Sequence, residues 1–250
     1  DSSEETFATP QMSMKAGLRL FGNAGAEAVK SEMTQLHMRK VGIPRSGRDL
    51  TREERRKALE YLMFLKRKRC GKVKARGCAD GRKERAYTNK EDSTSPTVAT
   101  ESVILSCIID AAERRDVATV DIPGAFMQAD MDRETMVRLT GKMVDVLVEI
   151  DPEMYGPYVT YEGKEKVMYL ELLKALYGTM RAARLFWEKL STQLKKWGFV
   201  ENPYDPCVVN KSINGKQATI LWHVDDLKIS HVDSNVVSQV IDMIDEVFGK

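Results

Sequence analysis

Two adjacent aspartates, Asp225 and Asp226, stand between the apolar runs Ile220–Val224 and Leu227–Ile229, where the chain must turn. An aspartate in a turn commonly bonds its own backbone. A third aspartate widens the chemistry open to this pair. Val117-Ala118-Thr119-Val120 reads as another apolar strand, and it delivers Asp121 at its end, just before Pro123-Gly124. If the two strands are neighbours in one sheet, three carboxylates converge at one edge, at a cost unless cations neutralise them. Mg2+ suits such a place, since it takes a few carboxylates together with water and phosphate oxygens. Two ions about 3.5–4 Å apart would clamp the attacking and leaving oxygens of an in-line phosphoryl displacement. These residue types point to metal-dependent phosphoryl chemistry, with an ordinary Asp-Asp turn as the alternative.

The elements that must hold these residues are legible as patterns. The first 25 residues, rich in Ser, Thr, Gly and Ala, are expected to be poorly ordered. Ala26, Val29, Met33 and Leu36 share one helical face within Ala26–Lys40, and Gly42, Pro44 and Gly47 break that helix. Thr51 and Glu54 have capping-box spacing and open a helix with Leu59, Leu62, Met63 and Leu65 on its apolar face. Lys72–Arg76 reads as a short exposed strand, and 80–95 as a polar loop. Val103, Ile104, Cys107, Ile108, Ala111 and Ala112 recur at helical spacing over Thr100–Glu113, ahead of the Val117–Asp121 strand. A helix is expected over Met143–Ile150, and a hairpin over Val159–Tyr161 and Val167–Leu172. Leu185, Phe186, Leu190, Leu194 and Trp197 form an amphipathic helix stopped by Gly198. Cys207–Asn210 and Gln217–Val224 are strands joined at Asn214-Gly215, a strong tight-turn signal. Leu227–His231 is the next strand, and Ser234 is expected to cap a helix carrying Val236, Val237, Val240, Ile241, Ile244 and Val247. The second half therefore predicts an α+β fold with an antiparallel sheet faced by helices.

Composition narrows the class. Of 250 residues 42% are hydrophobic and 30% charged, the balance of a globular chain rather than a disordered or membrane-embedded one. The longest apolar run, Val103–Ile109, is broken by Ser106 and is too short to span a bilayer. Four cysteines match no zinc pattern and read as buried or incidental thiols in a reducing compartment. A net charge of +2 conceals an uneven distribution: Arg39–Lys90 carries nineteen Lys/Arg against six Asp/Glu. A basic lobe joined to an acidic remainder can bind a polyanion at one end and cations at the other. A chain opening on Asp1 rather than Met and closing directly after an apolar helical pattern reads as a segment of a longer polypeptide.

At these residues, from about Val29 to Lys250, the sequence resembles the reverse transcriptase of copia-type (pseudovirus) long-terminal-repeat retrotransposon Pol polyproteins. Lys74-Ala75-Arg76 looks like the family's basic fingers motif. Asp121-Ile122-Pro123-Gly124-Ala125-Phe126 is similar to its aspartate followed, after three residues, by Ala-Phe. Leu173-Lys174-Ala175-Leu176-Tyr177-Gly178 resembles the Leu-Tyr-Gly block, with Arg184 and the aromatic pair Phe186-Trp187 following. Asp205-Pro206-Cys207 matches a further signature, and His223-Val224-Asp225-Asp226 corresponds to Tyr-Val-Asp-Asp. Five motifs in the family's order make the resemblance specific.

The resemblance implies a right-hand polymerase of fingers and palm, the antiparallel palm sheet carrying helices on one face, with the thumb missing or truncated. It implies a fingers-like basic region over 26–116 and a palm over 117–250, interleaved with a fingers segment at about 127–180. Asp121, Asp225 and Asp226 would be catalytic, holding two Mg2+ ions (or Mn2+ in their place) with the Ile122 carbonyl as a further ligand. Phe126 would be the aromatic gate that excludes a 2′-hydroxyl, with Gly124 and Ala125 beside it against the nucleotide. Lys74 and Arg76 would meet the triphosphate, and Tyr177, Gly178 and Arg181 the base and template. Implied partners are an RNA or DNA template, a primer, deoxynucleoside triphosphates and the remaining Pol domains (thumb, ribonuclease H and integrase), with no membrane. The implied location is the cytoplasm, within virus-like particles, with access to the nucleus. Three departures stand out. His223 replaces Tyr, Met180-Arg181-Ala182-Ala183 stands where Lys-Gln-Ala-Pro is usual, and the family would place strand in the latter part of Thr51–Arg69. A catalytically silent nucleic-acid-binding remnant is the alternative function, and an unrelated metal-dependent phosphodiesterase or cyclase a remoter one.

Overall fold

A computed structural model describes residues 9–86, 88–89 and 93–249. Residues 1–8 of the stretch expected to be poorly ordered, residues 87 and 90–92 of the expected loop, and Lys250 lie outside it. In chain order the α-helices of six residues or more among the described residues are α1 (Met14–Met38), α2 (Arg52–Lys57), α3 (Thr100–Glu113), α4 (Lys142–Ile150), α5 (Ala182–Lys196) and α6 (Ser234–Phe248). The strands are β1 (Met12–Ser13), β2 (Gly42–Arg45), β3 (Leu59–Arg67), β4 (Val73–Ala79), β5 (Asp116–Asp121) and β6 (Met136–Thr140). Then follow β7 (Thr160–Glu162), β8 (Glu165–Leu172), β9 (Val200–Asn202), β10 (Asp205–Ile213), β11 (Lys216–His223) and β12 (Asp226–His231). Contacts divide the chain into one unit of residues 1–89 with 130–182 and a second of 90–129 with 183–250.

The first unit is built on a seven-stranded sheet of order β1-β3-β6-β8-β2, with β4 paired to β3 and β7 to β8. Only β3 and β6 run parallel. Helix α1 begins at Met14, inside the stretch expected to be poorly ordered, because Ser13 caps it by accepting the Ala16 N–H. Val29, Met33 and Leu36 are buried as their spacing predicts, joined by Phe21. At Thr51 both bonds of the capping box form, Thr51 N–H to Glu54 Oε2 at 2.6 Å and Glu54 N–H to Thr51 Oγ1 at 3.2 Å. The helix they start ends at Lys57, and the residues beyond it form β3. Leu59, Tyr61, Met63 and Leu65 are buried while Glu60, Leu62, Phe64 and Lys66 are not, a period of two. The apolar letters fit both periods; pairing with β4 and β6 decides for strand.

The expected polar loop holds a 3-10 turn, Gly81–Ala86, whose Glu84 is only 1% exposed. Its Oε2 accepts the Met180 N–H at 2.7 Å and so ties down the segment after Tyr177-Gly178. Burial raises the Glu84 pKa above the ordinary 4.5. The native state therefore keeps this proton to higher pH than the unfolded chain, so Glu84 costs stability as pH rises above about 4.5. Glu84→Gln retains an acceptor for Met180 and removes that cost. A flatter decline of the urea midpoint above pH 4.5 is expected in Glu84→Gln, and an unchanged decline would refute it.

The second unit carries a five-stranded antiparallel sheet of order β5-β12-β11-β10-β9. Asn214 and Gly215 join β10 to β11 with φ of 52° and 72°, the two positive values that a tight hairpin turn with the right twist requires. One sheet face carries Val209, Ile220, Trp222, Leu227 and Ile229, all buried. Helix α6 packs against β5 and β12, with Ile244 and Phe248 lining a cleft with Val120 and Ile122. Its cap is Asp233 rather than the expected Ser234, the carboxylate accepting the Asn235 N–H at 2.9 Å.

Helices were expected on one face of this sheet, yet α3 lies against the other. Lys228, in register with Leu221 and Thr119, reaches Ser106 Oγ at 2.6 Å and the Asp110 carboxylate. The buried side of α3 is therefore polar, and its periodic apolar residues turn outward: Ile104 is 56% and Ile108 60% exposed. The helix forms where the spacing predicts; its orientation is set by these polar bonds.

Candidate active site

Strand β12 lies between β5 and β11, so the three aspartates meet at one edge of one sheet. Asp121 stands directly opposite Asp226 across the ladder, and the next pair outward, Ile122 and Asp225, is bonded by Ile122 N–H to Asp225 O at 3.0 Å. Bonded and unbonded pairs alternate along an antiparallel ladder, so Asp121 and Asp226 form an unbonded pair, with Cα atoms about 4.5 Å apart and side chains on one face. Both are exposed. No hydrogen bond or ion pair among the described residues reaches the side chains of Asp121, Asp225 or Asp226.

The turn from β11 to β12 is as short as a hairpin allows, with Val224 and Asp225 as its two central residues between the paired His223 and Asp226. Val224 has φ of 60°, a left-handed conformation that a β-branched side chain adopts only under strain of about 1–3 kcal/mol. Glycine is the usual residue at such a first central position. This feature was invisible in the letters, since nothing in Val-Asp-Asp announces a strained turn. His223 is exposed at the end of β11.

Past Asp121 the chain dives inward. Ile122 is 1% exposed and Ala125 fully buried, while Gly124 takes the left-handed conformation (φ 61°, ψ 36°) that starts the 3-10 turn Ala125–Gln128. That turn presents Phe126, half-buried, with its ring edge-on to Phe186 at 6.4 Å; Phe186 in turn meets Phe248 at 6.4 Å. Gln128 Nε2 donates to the Phe248 carbonyl at 2.9 Å and fixes the turn against α6. A cleft of about 150 Å3 opens beside Asp121, lined by Pro123 and by Asp242 and Asp245 of α6.

The remaining predicted site residues belong to the first unit. Lys74 and Arg76 are exposed on β4, with Lys74 directly opposite Lys66 and Arg76 opposite Phe64. Like charges facing each other across a ladder leave a cationic patch suited to a polyanion. A cleft of about 150 Å3 on this patch is lined by Gln11, Phe64, Lys66, Lys68, Lys74 and Arg76. Tyr177 O accepts the Ala79 N–H at 2.7 Å, bringing Tyr177-Gly178 across the end of β4. Gly178 has φ of 91°, and a Cβ there would collide with the Ala79 carbonyl, so only glycine fits this crossing. Arg181 is bonded to Asp132 at 2.5 Å, an ion pair that any role toward a nucleotide must share.

Three groups hold positioning roles that the letters did not announce, Asp205 having stood only as part of a family signature. Asp205, 4% exposed, accepts the Cys207 N–H at 2.9 Å and the Ala99 N–H at 3.0 Å. Ala99 is the N-cap of α3 and supplies no side-chain bond of its own, so Asp205 anchors the helix that leads into β5. Lys228, two residues beyond Asp226 on the same face, holds the middle of α3. Arg115 closes the set, donating to Thr219 Oγ1 at 3.1 Å.

Among the described residues no group of three or more His, Cys, Asp or Glu side chains is arranged as a ready metal cage. The donor set nonetheless suits a hard divalent cation. Two carboxylates share a face, unneutralised and open to solvent, with a third in the adjoining turn, which is the partly protein-bound, water-completed environment Mg2+ takes. No described helix is long and apolar enough to cross a membrane.

A family model described as "Reverse transcriptase (RNA-dependent DNA polymerase)" matches residues 49–249. A relative, "Retrovirus-related Pol polyprotein from transposon TNT 1-94" of Nicotiana tabacum, is 25% identical over 170 residues, which are 68% of this chain and 12% of that polyprotein.

Proposed function

Because the chain belongs to the reverse transcriptase family, in its copia-type retrotransposon branch, we propose that it is an RNA-directed DNA polymerase domain with Asp121, Asp225 and Asp226 as its catalytic carboxylates. The observation that carries this reading is the register of β5 on β12, which sets Asp121 opposite Asp226 with no ion pair to either carboxylate among the described residues. The second unit acts as palm and the first as fingers. The three carboxylates, with the Ile122 carbonyl, hold two Mg2+ ions, Mn2+ serving in their place. The chemistry supplied by two such ions, when bound, is activation of a primer 3′-hydroxyl and stabilisation of charge on the transferred phosphate.

Every other role falls to the chain itself. Strands β5 and β12 fix the backbone positions that carry Asp121 and Asp226 through their ladder, so side-chain rotation is what remains to close the carboxylates around an ion. Gly124 and Ala125 let the backbone approach the nucleotide closely, and Phe126 sets a ring beneath its sugar. Lys74 and Arg76 bind the triphosphate through charge-assisted hydrogen bonds, while Tyr177, Gly178 and Arg181 line the base and template. The substrates are a template of RNA or DNA, a primer and deoxynucleoside triphosphates, and the working protein joins this domain to other Pol domains inside cytoplasmic virus-like particles.

The test is primer extension on an RNA template with deoxynucleotides and Mg2+ or Mn2+, by this chain and by a longer one that includes the residues following it in the polyprotein. Extension by either supports the reading; none by both would favour a silent nucleic-acid-binding remnant. Phe126→Ala is expected to raise incorporation of ribonucleotides relative to deoxynucleotides by about tenfold or more. The ratio is insensitive to lost packing on Phe186, so unchanged selectivity would remove the gate role.

A further inference from the structure

Residues Tyr177–Arg181 fold back sharply, and their shape is set by what holds them. The Thr179 amide and hydroxyl both donate to the Leu176 carbonyl, at 3.1 and 2.9 Å, and close a turn. Tyr177 is half-buried and Gly178 exposed, while Thr179 is buried. Three contacts seat this turn on the run Ala79–Glu84. Tyr177 O accepts the Ala79 N–H at 2.7 Å. Gly81 passes so close to Gly178 that a Cβ on Gly81 would collide with the Gly178 carbonyl. The third is the Glu84 carboxylate, which accepts the Met180 N–H at 2.7 Å. Of the three, only this last is made by a side chain.

Glu84 stands on a fixed mount. Its 3-10 turn follows Asp80, whose N–H donates to the Glu60 carbonyl at 2.8 Å and whose carboxylate accepts the Arg82 N–H at 3.2 Å. Lys83 Nζ donates to the Ala58 carbonyl at 2.8 Å. Ala58 and Glu60 flank Leu59, the first residue of β3, so the turn is tied to the sheet at two points. A carboxylate that is only 1% exposed is costly to bury. An apolar side chain would fill the same space at lower cost, so the acid is explained by the amide it receives. Hydrogen bonds to a charged acceptor are shorter and stronger than neutral ones. An acceptor held this firmly fixes the backbone at Met180, and with it the neighbouring Arg181.

We infer that Glu84 is a positioning residue for nucleotide binding, holding Tyr177–Arg181 in the form that meets the base and template, a role that rests on the functions proposed above for Tyr177, Gly178 and Arg181. Glu84 touches no substrate and acts through the Met180 amide. A fault in this support weakens binding in the ground state and the transition state alike, which raises KM and leaves kcat nearly unchanged.

Single-deoxynucleotide incorporation on an RNA-templated primer, by this chain or by the longer one, tests the role alongside hydrogen exchange of the Met180 amide. Glu84→Met keeps the length of the side chain and removes the acceptor. Glu84→Asp keeps the charge and withdraws it by one methylene, and it carries the test if Glu84→Met does not fold. Each is expected to raise the KM for deoxynucleotide about fivefold to tenfold, with kcat within about twofold, and to speed Met180 exchange about tenfold. Glu84→Gln keeps an acceptor at the same reach and is expected to stay within about twofold of the wild type in both constants. An unmoved KM in a folded, active variant, a loss confined to kcat, or equal losses in Glu84→Gln and Glu84→Met would overturn the positioning role and leave the polymerase reading standing. A wild type that extends no primer would overturn that reading, and this role with it.

Discussion

Asp225→Asn and Asp121→Asn are each expected to lower nucleotide incorporation by about 10³-fold or more, on the order of 4 kcal/mol of transition-state stabilisation. An amide keeps the size of the side chain and much of its hydrogen bonding, but it removes the charge by which a carboxylate holds a divalent ion. The fold should not suffer. Asp121 and Asp226 are like charges facing each other on an unbonded pair, with no ion pair to either among the described residues. Neutralising Asp121 relieves a repulsion rather than breaking a contact. The variant should melt at the same temperature as the wild type or slightly higher in metal-free buffer. Loss of activity with loss of fold would instead make Asp121 a structural residue.

The second large effect lies behind the site. Asp110→Ala removes the carboxylate that neutralises Lys228; their side chains are 8 and 14% exposed. A buried cation left without its partner costs about 3–5 kcal/mol, which for a unit of this size lowers the melting temperature by roughly 10–20 °C. Replacing both partners with apolar residues, Asp110→Leu with Lys228→Met, removes the stranded charge and should recover much of that loss. Thermal unfolding of the three variants separates the outcomes. A single variant as stable as the wild type would mean that Lys228 finds water or another acceptor and does not hold α3.

What the sequence disclosed, it disclosed through local chemistry. Asn214-Gly215 predicts its hairpin because few residue pairs accept two positive φ values, and Thr51 with Glu54 predicts its capping box because both bonds form within four residues. The strand ends that carry Asp121 and Asp226 were readable as apolar runs stopping at acids. That the two acids face each other follows from the register of strands more than 100 residues apart, which no local pattern contains. The same limit explains the misreadings. Leu59–Leu65 supports both a helical and a strand face, and only the partners β4 and β6 choose between them. Helix α3 shows helical periodicity, yet Lys228 on a distant strand draws its polar side inward. Glu84 looked like one more charge in a polar stretch until the Met180 amide came to it. The strands Gly42–Arg45 and Met136–Thr140 went unpredicted because a proline in one and an arginine in the other mask short apolar runs whose pairing is entirely long-range.

The central claim is that the cross-strand aspartates bind the divalent ions of a reverse transcriptase. Incorporation of a single deoxynucleotide onto a primer annealed to RNA, followed across a Mg2+ titration with a chelator control, tests it most directly when wild type and Asp121→Asn are compared side by side. The rate should climb with Mg2+ in the wild type, vanish with chelator, and stay near background in Asp121→Asn at every concentration. Incorporation by Asp121→Asn at the wild-type rate, or extension that survives chelation, would contradict it.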